Sequence, residues 1–180
     1  MGGSRGLGVR YRTIRRLDES DSKFTIDVVT GSNRRLRSRL VVNRDGFRHP
    51  IRIRGYVSNI PDLMDRSDLL IGKPGGVTSA EAMAHALPMV LVRPLPGQEE
   101  GNTEYLVRHG AALHLPRDKD VAPVVTTLLN NPTLLAMMRE RARALGHPSA
   151  ASEIAQDVLG MLKRSPASTS DGQPSPLLKT

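Results

Sequence analysis

The chain has 180 residues, with 26 Lys and Arg against 18 Asp and Glu, and it contains neither Cys nor Trp. This length suits one domain of ordinary size. Because Cys is absent, disulfides, thiolate zinc sites and Cys nucleophiles are excluded. The longest apolar stretches, such as 88–92, fall far short of the roughly 20 residues that a transmembrane helix needs, and residues 1–6 lack the apolar centre of a signal peptide. We therefore expect a cytoplasmic protein without a structural metal.

The positive charge is concentrated in the first third of the chain. Residues 1–60 hold 14 Lys and Arg against 5 Asp and Glu, a net +9, whereas residues 61–180 hold 12 against 13, a net −1. A basic region of this kind favours an anionic partner, which could be nucleic acid, an anionic membrane surface or a phosphorylated ligand. A merely solvated surface is an equal alternative. Nucleic acid is the least favoured partner, because only two Phe and three Tyr are present to stack on bases.

Apolar runs alternate with helical periodicity along the chain. In chain order the pattern predicts a strand at 24–29, a helix at 33–43, a strand at 51–54, a helix at 59–66, a strand at 68–71, a helix at 79–85, a strand at 88–92, a helix at 102–109, a strand at 112–115 and helices at 121–129, 132–145 and 149–162. This alternation indicates an α/β domain with a parallel sheet and helices on both faces. Residues 164–180, rich in Ser and Pro, lack periodicity and predict a disordered tail.

Residues 2–8 have the composition of a glycine-rich turn from a strand into a helix. A turn of this kind follows a strand, and only Met1 precedes it here. We therefore expect the first strand of the sheet to be missing, the alternative being that the glycines form a flexible leader.

The strongest local signal for binding lies in residues 68–84. A buried strand leads into a Pro-Gly-Gly turn, after which a helix is expected to begin near Thr78 or Ser79. The first helical turn presents unpaired N–H groups, and the glycines let a ligand approach them, so the segment predicts a phosphate site. It is not a Walker loop, because Lys73 precedes the glycines.

Glu81 follows within the first turn of the predicted helix. A carboxylate at that position suits a sugar diol, because it can accept hydrogen bonds from two hydroxyl groups. The alternative is purely structural: Thr78 and Glu81 have the spacing of a capping box.

Two further polar segments follow predicted strands and therefore lie at the carboxyl edge of the sheet, where ligands bind in open α/β folds. The segment 94–102 holds Gln98, Glu99 and Asn102, which suit hydroxyl recognition but also suit an ordinary polar turn. The segment 54–59 offers the backbone of Tyr56 and Val57 to the edge of a planar base, a weak signal when taken alone.

Together these segments resemble the monogalactosyldiacylglycerol synthases and the processive diacylglycerol glucosyltransferases, and more distantly the peptidoglycan N-acetylglucosaminyltransferase. Gly-Tyr-Val at 55–57, Pro-Gly-Gly-Val-Thr-Ser-Ala-Glu at 74–81 and Pro-Gly-Gln-Glu at 96–99 carry the resemblance, which covers about residues 1–160. It implies the GT-B fold, in which two Rossmann-like domains face each other. Residues 1–163 would be the C-terminal domain, which holds a UDP-sugar.

The resemblance also implies which residues hold the donor. They are Gly3, Ser4 and Gly6 near the diphosphate, Tyr56 and Val57 at uracil, Gly75, Gly76, Val77 and Thr78 at phosphate, Glu81 at ribose, and Gln98, Glu99 and Asn102 around the hexose. No cofactor is expected besides the UDP-sugar substrate, and no metal, because no Asp-x-Asp-like pair adjoins the phosphate loop. The five His are scattered without metal-ligand spacing and are expected at the surface or on helix faces.

The family's N-terminal domain, which binds the lipid acceptor and supplies the general base, has no counterpart here, so no catalytic residue is assigned. The expected function is donor binding in an inverting enzyme that transfers a hexose from UDP to a diacylglycerol-type lipid, peripheral on the inner face of the membrane. Whether the chain itself catalyses anything stays open. The alternatives are a stand-alone nucleotide-sugar-binding module, a gene fragment without function, or a UDP-sugar epimerase or hydrolase on the same fold.

Overall fold

The computed structural model describes residues 9–164. The chain divides into two units, Met1–Pro148 and Ser149–Thr180. The described part of the second unit is one helix, α8 (Ala150–Arg164), which carries Ile154, Val158 and Leu162 at four-residue spacing. Apart from Arg164, which ends α8, the predicted tail lies outside the described residues, so its disorder stays a prediction. Residues 1–8 also lie outside the described residues, so the expectation that a strand is missing before residues 2–8 stays a prediction.

Strands and helices alternate through the first unit, as the sequence pattern predicts. The strands are β1 (Ile26–Val29), β2 (Ile51–Arg54), β3 (Leu70–Gly72), β4 (Met89–Val92) and β5 (Ala112–Leu115). The helices are α1 (Tyr11–Asp18), α2 (Arg34–Val42), α3 (Pro61–Asp65), α4 (Gly76–Ala84), α5 (Glu100–Arg108), α6 (Val121–Leu129) and α7 (Pro132–Leu145). The bounds of β2, β5, α6 and α7 agree with those predicted, whereas α1 was not predicted.

All the strand pairs described are parallel, which confirms the predicted α/β class. Strands β1 and β2 form one sheet, and β3, β4 and β5 form a second in that order. In the second sheet Gly72, the last residue of β3, lies opposite Leu91 of β4. The loops that follow β3 and β4 therefore leave the sheet side by side, and this adjacency brings the candidate site together.

Strand β4 is the centre of the core, and all four of its residues are buried. Its successive side chains point to opposite faces. Met89 and Leu91 pack in one apolar cluster with residues of α4 and α5, while Val90 and Val92 pack in another with residues of α1 and α6. Full burial of each such side chain contributes about 1.5–3 kcal/mol. Helices on both faces of the strand explain its uninterrupted apolar sequence.

The largest error in the predicted bounds falls on α4. The helix begins at Gly76, with Gly75 in extended conformation (φ −65°, ψ 140°) as its N-cap, rather than near Thr78 or Ser79. The N–H of Ser79 donates to the carbonyl of Gly75 at 2.8 Å, so the helical hydrogen bonds already start from Gly75. The sequence does not indicate this early start, because glycine has poor helix propensity. Strand β3 ends at Gly72, one residue later than predicted.

Within residues 9–164 no single helix is long and apolar enough to cross a bilayer. Residues 118–129 and 132–162, separated by a sharply bent break, pass that test only as a pair and only by length and composition.

Candidate functional site

The N-terminus of α4 is open. No side chain caps it, and its first turn contains no acidic residue. The first N–H groups of a helix have no intrahelical acceptor, and the helix dipole is positive at this end. Val77, in the first turn, is 74% exposed, and the neighbouring glycines add no side chain. This arrangement can accept an anionic group on Gly76, Val77 and Thr78.

Glu81 lies in the second turn of α4 rather than the first. The capping box between Thr78 and Glu81 is therefore wrong, because Gly75 occupies the N-cap position. Residues three and four apart on a helix share a face, which places Glu81 on the side of Val77 and Thr78. The half-buried Glu81 carboxylate makes no hydrogen bond or ion pair with any described residue. It is available to accept hydrogen bonds from a ligand beside the helix N-terminus.

The loop between β4 and α5 folds back around a buried carboxylate. Glu99 is only 7% exposed, and its Oε2 accepts a hydrogen bond of 2.7 Å from the backbone N–H of Leu95. Arg93 (φ +52°) and Gly97 (φ +72°) both adopt the left-handed backbone conformation, which allows the loop to reverse its direction over a few residues. Gln98, directly before Glu99, is exposed.

Two contacts join Glu99 of this loop and the first turn of α5 to the turn before α4. The Nζ of Lys73 lies 3.0 Å from Oε1 of Glu99. The side-chain amide of Asn102 donates to the carbonyl of Pro74 at 2.9 Å. A Cβ on Gly75 would lie 3.6 Å from Oε1 of Glu99, so the glycine backbone adjoins that oxygen. The structure thus unites the two strongest sequence signals in one site.

Lys73 is the site residue that the sequence analysis missed. The sequence used Lys73 only to exclude a Walker loop, since nothing local relates it to Glu99. The signal in the sequence was a lysine shortly after one predicted strand and a glutamate in the loop after another, since the carboxyl ends of parallel strands lie at the same edge of a sheet.

Of the other predicted residues, Tyr56 and Val57 are described and lie apart from this cluster. Tyr56 and Val57 follow β2 at the carboxyl edge of the other sheet, and Tyr56 is 77% exposed. The Arg37 side chain packs against Gly55, where a Cβ would lie 3.7 Å from its Nε. Among the described residues, neither Tyr56 nor Val57 makes a hydrogen bond or ion pair with Glu81. Gly3, Ser4 and Gly6 lie outside the described residues.

His49 is not the surface residue that the sequence predicts. Its side chain is 9% exposed, stacks on Phe24, and accompanies Asp18, whose side chain is 1% exposed. Burial raises the pKa of Asp18, but the backbone N–H groups of His49 and Arg48, the His49 imidazole and the Arg15 guanidinium outweigh it and hold that pKa below its ordinary value.

A cleft of about 510 Å³ adjoins His49. Its lining includes Thr25 and Pro50, which immediately precede β1 and β2, so it lies at the amino edge of that sheet. Ligands of open α/β folds bind at the opposite edge. Among the described residues, no group of three or more His, Asp or Glu is placed to hold a metal ion.

The chain matches the glycosyltransferase family 28 C-terminal domain over residues 1–156. It is 32% identical over 162 residues to the processive diacylglycerol beta-glucosyltransferase of Bacillus pumilus, covering 88% of this chain and 42% of that protein. It is 36% identical over 132 residues to the Bacillus cereus protein of the same name, covering 73% and 34%. The chain therefore spans less than half the length of these curated relatives.

Solved structures show the same fold at lower identity. MurG of Acinetobacter baumannii matches with a TM-score of 0.70 and 20% identity, covering 89% of this chain and 48% of that one. Alr3699/HepE of Anabaena, solved in complex with UDP-glucose, matches with a TM-score of 0.62 and 20% identity, covering 91% and 46%. The chain therefore belongs to the glycosyltransferase family 28 C-terminal domain family and has the α/β fold found in GT-B glycosyltransferases.

Proposed function

We propose that this domain binds the UDP-sugar donor of a hexosyltransferase whose acceptor is a diacylglycerol-type lipid. The observation that carries the proposal is the uncapped N-terminus of α4, together with the Glu81 carboxylate, which pairs with no described residue. Glu99, at the end of the adjoining loop, and Asn102, in the first turn of α5, lie next to it. The relatives named processive diacylglycerol beta-glucosyltransferase, and the UDP-glucose complex of Alr3699/HepE, support this choice of donor and acceptor.

Each group in the site has a chemical part to play in this function. Transfer breaks the bond between the anomeric carbon and the diphosphate, so negative charge develops on the departing UDP. The N–H groups of Gly76, Val77 and Thr78 would stabilise that charge without reorganising. Glu81 would accept hydrogen bonds from the ribose hydroxyls, while Gln98 and Glu99 would hold the hexose. The acceptor hydroxyl needs a general base, which we assign to the partner domain that completes the longer relatives.

Helix α2 suits a role at an anionic lipid surface. Its exposed arginines include Arg34, Arg35 and Arg37, and none of these pairs with a carboxylate among the described residues. Val41 and Val42 at the end of the same helix are 52% and 83% exposed. Each basic side chain near an anionic membrane contributes about 1 kcal/mol. We propose that α2 holds the domain against the cytoplasmic face of the membrane, close to a lipid acceptor.

Calorimetric titration of the full chain with UDP tests the donor site. We expect binding that Glu81→Ala weakens about 10- to 100-fold, since hydrogen bonds to a charged group are worth about 1.5–3 kcal/mol. Glu104→Ala is the matched control, because it removes an exposed carboxylate from α5. A folded chain that binds no UDP would contradict the proposal, whereas equal binding by Glu81→Ala would contradict only the role of Glu81. UDP-sugar binding without transfer by the chain alone is expected if the base comes from the partner domain.

A further inference from the structure

We propose that Lys73 is a positioning residue that sets the orientation of Glu99 and, through it, the recognition of the transferred sugar. The inference rests on the proposed donor-binding function. It starts from an unusual ion pair: Lys73 Nζ and Glu99 Oε1 are 3.0 Å apart, and the two side chains are only 12% and 10% exposed. Within the described residues no other Lys or Arg ion pair has both side chains so buried.

The ion pair joins two loops that follow different strands of the sheet. Lys73 directly follows β3, and Glu99 ends the loop that leaves β4. Because Gly72 and Leu91 are opposite each other in the sheet, the two loops start side by side. The Lys73 ammonium therefore ties the turn that opens α4 to the loop that carries Gln98 and Glu99. Buried polar side chains need hydrogen-bonding or charged partners, and Lys73 is such a partner for Glu99.

The contacts that the Glu99 carboxylate already makes show which of its acceptor positions remain free for a ligand. Oε1 faces Lys73, and Oε2 accepts from the N–H of Leu95 at 2.7 Å. An ionised carboxylate has about four acceptor positions, so about one position per oxygen is left. Two neighbouring hydroxyl groups, as on a hexose ring, match two such acceptors on one carboxylate. Gly75, the N-cap of α4, adjoins Oε1, so this carboxylate lies next to the start of α4.

This arrangement separates the two halves of a UDP-sugar. The diphosphate would lie on the α4 N-terminus, which Lys73 does not form, while the sugar would meet Glu99, whose orientation Lys73 holds. Removing the Lys73 ammonium should therefore reduce sugar recognition and leave recognition of UDP nearly intact. A lysine needed only for folding would instead weaken the binding of UDP and UDP-glucose together.

The test compares UDP with UDP-glucose by calorimetry on the full chain. For Lys73→Met we expect the affinity gained from the glucose, roughly tenfold for hydrogen bonds to a charged group, to be lost while the UDP affinity is retained. Lys73→Arg should restore part of the gain. Lys119→Met is the matched control, since Lys119 is exposed and outside the site. An unchanged preference for UDP-glucose in Lys73→Met would overturn the inference, as would equal losses for both ligands.

A second measurement needs no ligand. Amide hydrogen exchange at Leu95 reports whether Glu99 still holds that N–H. We expect faster exchange at Leu95 in Lys73→Met than in Lys119→Met. If the unaltered chain binds no UDP, the proposed function fails, and the exchange rate still decides the positioning role: unchanged protection at Leu95 would overturn it.

Discussion

Gly146, which follows α7, lies against the backbone of Met83 in α4. A Cβ placed on Gly146 would be 2.3 Å from the Met83 carbonyl oxygen and 2.8 Å from its carbon. No side chain fits there, so the end of α7 approaches α4 backbone to backbone. The other end of α4 is the proposed phosphate site, so this contact helps to fix the position of the helix that carries Glu81.

Gly146→Ala should therefore destabilise the protein. The clash is with backbone, which cannot rotate away, so we expect a loss of about 1–3 kcal/mol as in other overpacked sites, more than the gain of about 0.4–1 kcal/mol from a less flexible unfolded chain. Denaturant unfolding measures the difference. Gly46→Ala is the control, because a Cβ at Gly46 meets nothing within 4 Å. Equal stability of the two variants would contradict the contact.

Val77→Asp should separate the stability of α4 from its binding function. Val77 is 74% exposed in the first turn, where a carboxylate is favoured by the helix dipole by about 0.3–1 kcal/mol. The same charge would repel a diphosphate, so we expect UDP affinity to fall at least about tenfold by like-charge repulsion. Thermal unfolding and UDP titration check the two effects.

The control for that experiment is Val42→Asp, since Val42 is 83% exposed on α2, outside the candidate site. Val42→Asp should bind UDP as the unaltered chain does. If Val77→Asp binds UDP equally well, the α4 N-terminus does not hold the diphosphate.

Asp18 should make the stability of the protein depend on acid pH. Its pKa is depressed below the ordinary value of 3.8, because the hydrogen bonds from His49 and Arg48 and the charge of Arg15 outweigh burial. A depressed native pKa stabilises the fold fully above the unfolded pKa, and this stabilisation is lost as the pH falls through the native pKa. The loss therefore falls on the acid side of 3.8.

We expect Asp18→Asn to lower the free energy of unfolding by about 1–3 kcal/mol at neutral pH and to flatten the dependence on pH below 3.8. Urea unfolding between neutral and acid pH measures both. Asp21→Asn, whose side chain is 97% exposed, should leave the curve unchanged. An acid dependence as steep in Asp18→Asn as in the unaltered protein would show that other carboxylates cause it.

The double variant Arg34→Gln and Arg35→Gln should weaken binding to anionic vesicles. At about 1 kcal/mol for each basic residue, we expect about a 30-fold loss. Sedimentation with phosphatidylglycerol-containing vesicles measures it, with phosphatidylcholine vesicles as the uncharged reference. Arg139→Gln with Arg143→Gln removes the same charge from α7, where each arginine pairs with a carboxylate. An equal loss in both double variants would mean that net charge, not α2, controls binding.

The sequence alone predicted the features that depend on local pattern. Strand β4 was recognisable because a parallel strand covered by helices on both faces has to be apolar at every position, and its four residues are all buried. The bounds of α6 and α7 followed from their periodicity, with Asn131 and Pro132 marking the start of α7. The motifs at 74–81 and 96–99 were likewise visible as polar segments after buried strands.

Only the tertiary structure decided how those segments meet. The start of α4 at Gly76 could not be predicted from local propensity, since glycine is a poor helix former. The His49 side chain, which is 9% exposed, lies beside Asp18 at the end of α1, 31 residues away in the chain. Lys73 and Glu99 form an ion pair because the parallel pairing of β3 and β4 places the loops that follow these two strands next to each other. The sequence thus determined the elements and the kind of chemistry they offer, and the strand order determined which of those groups share one site.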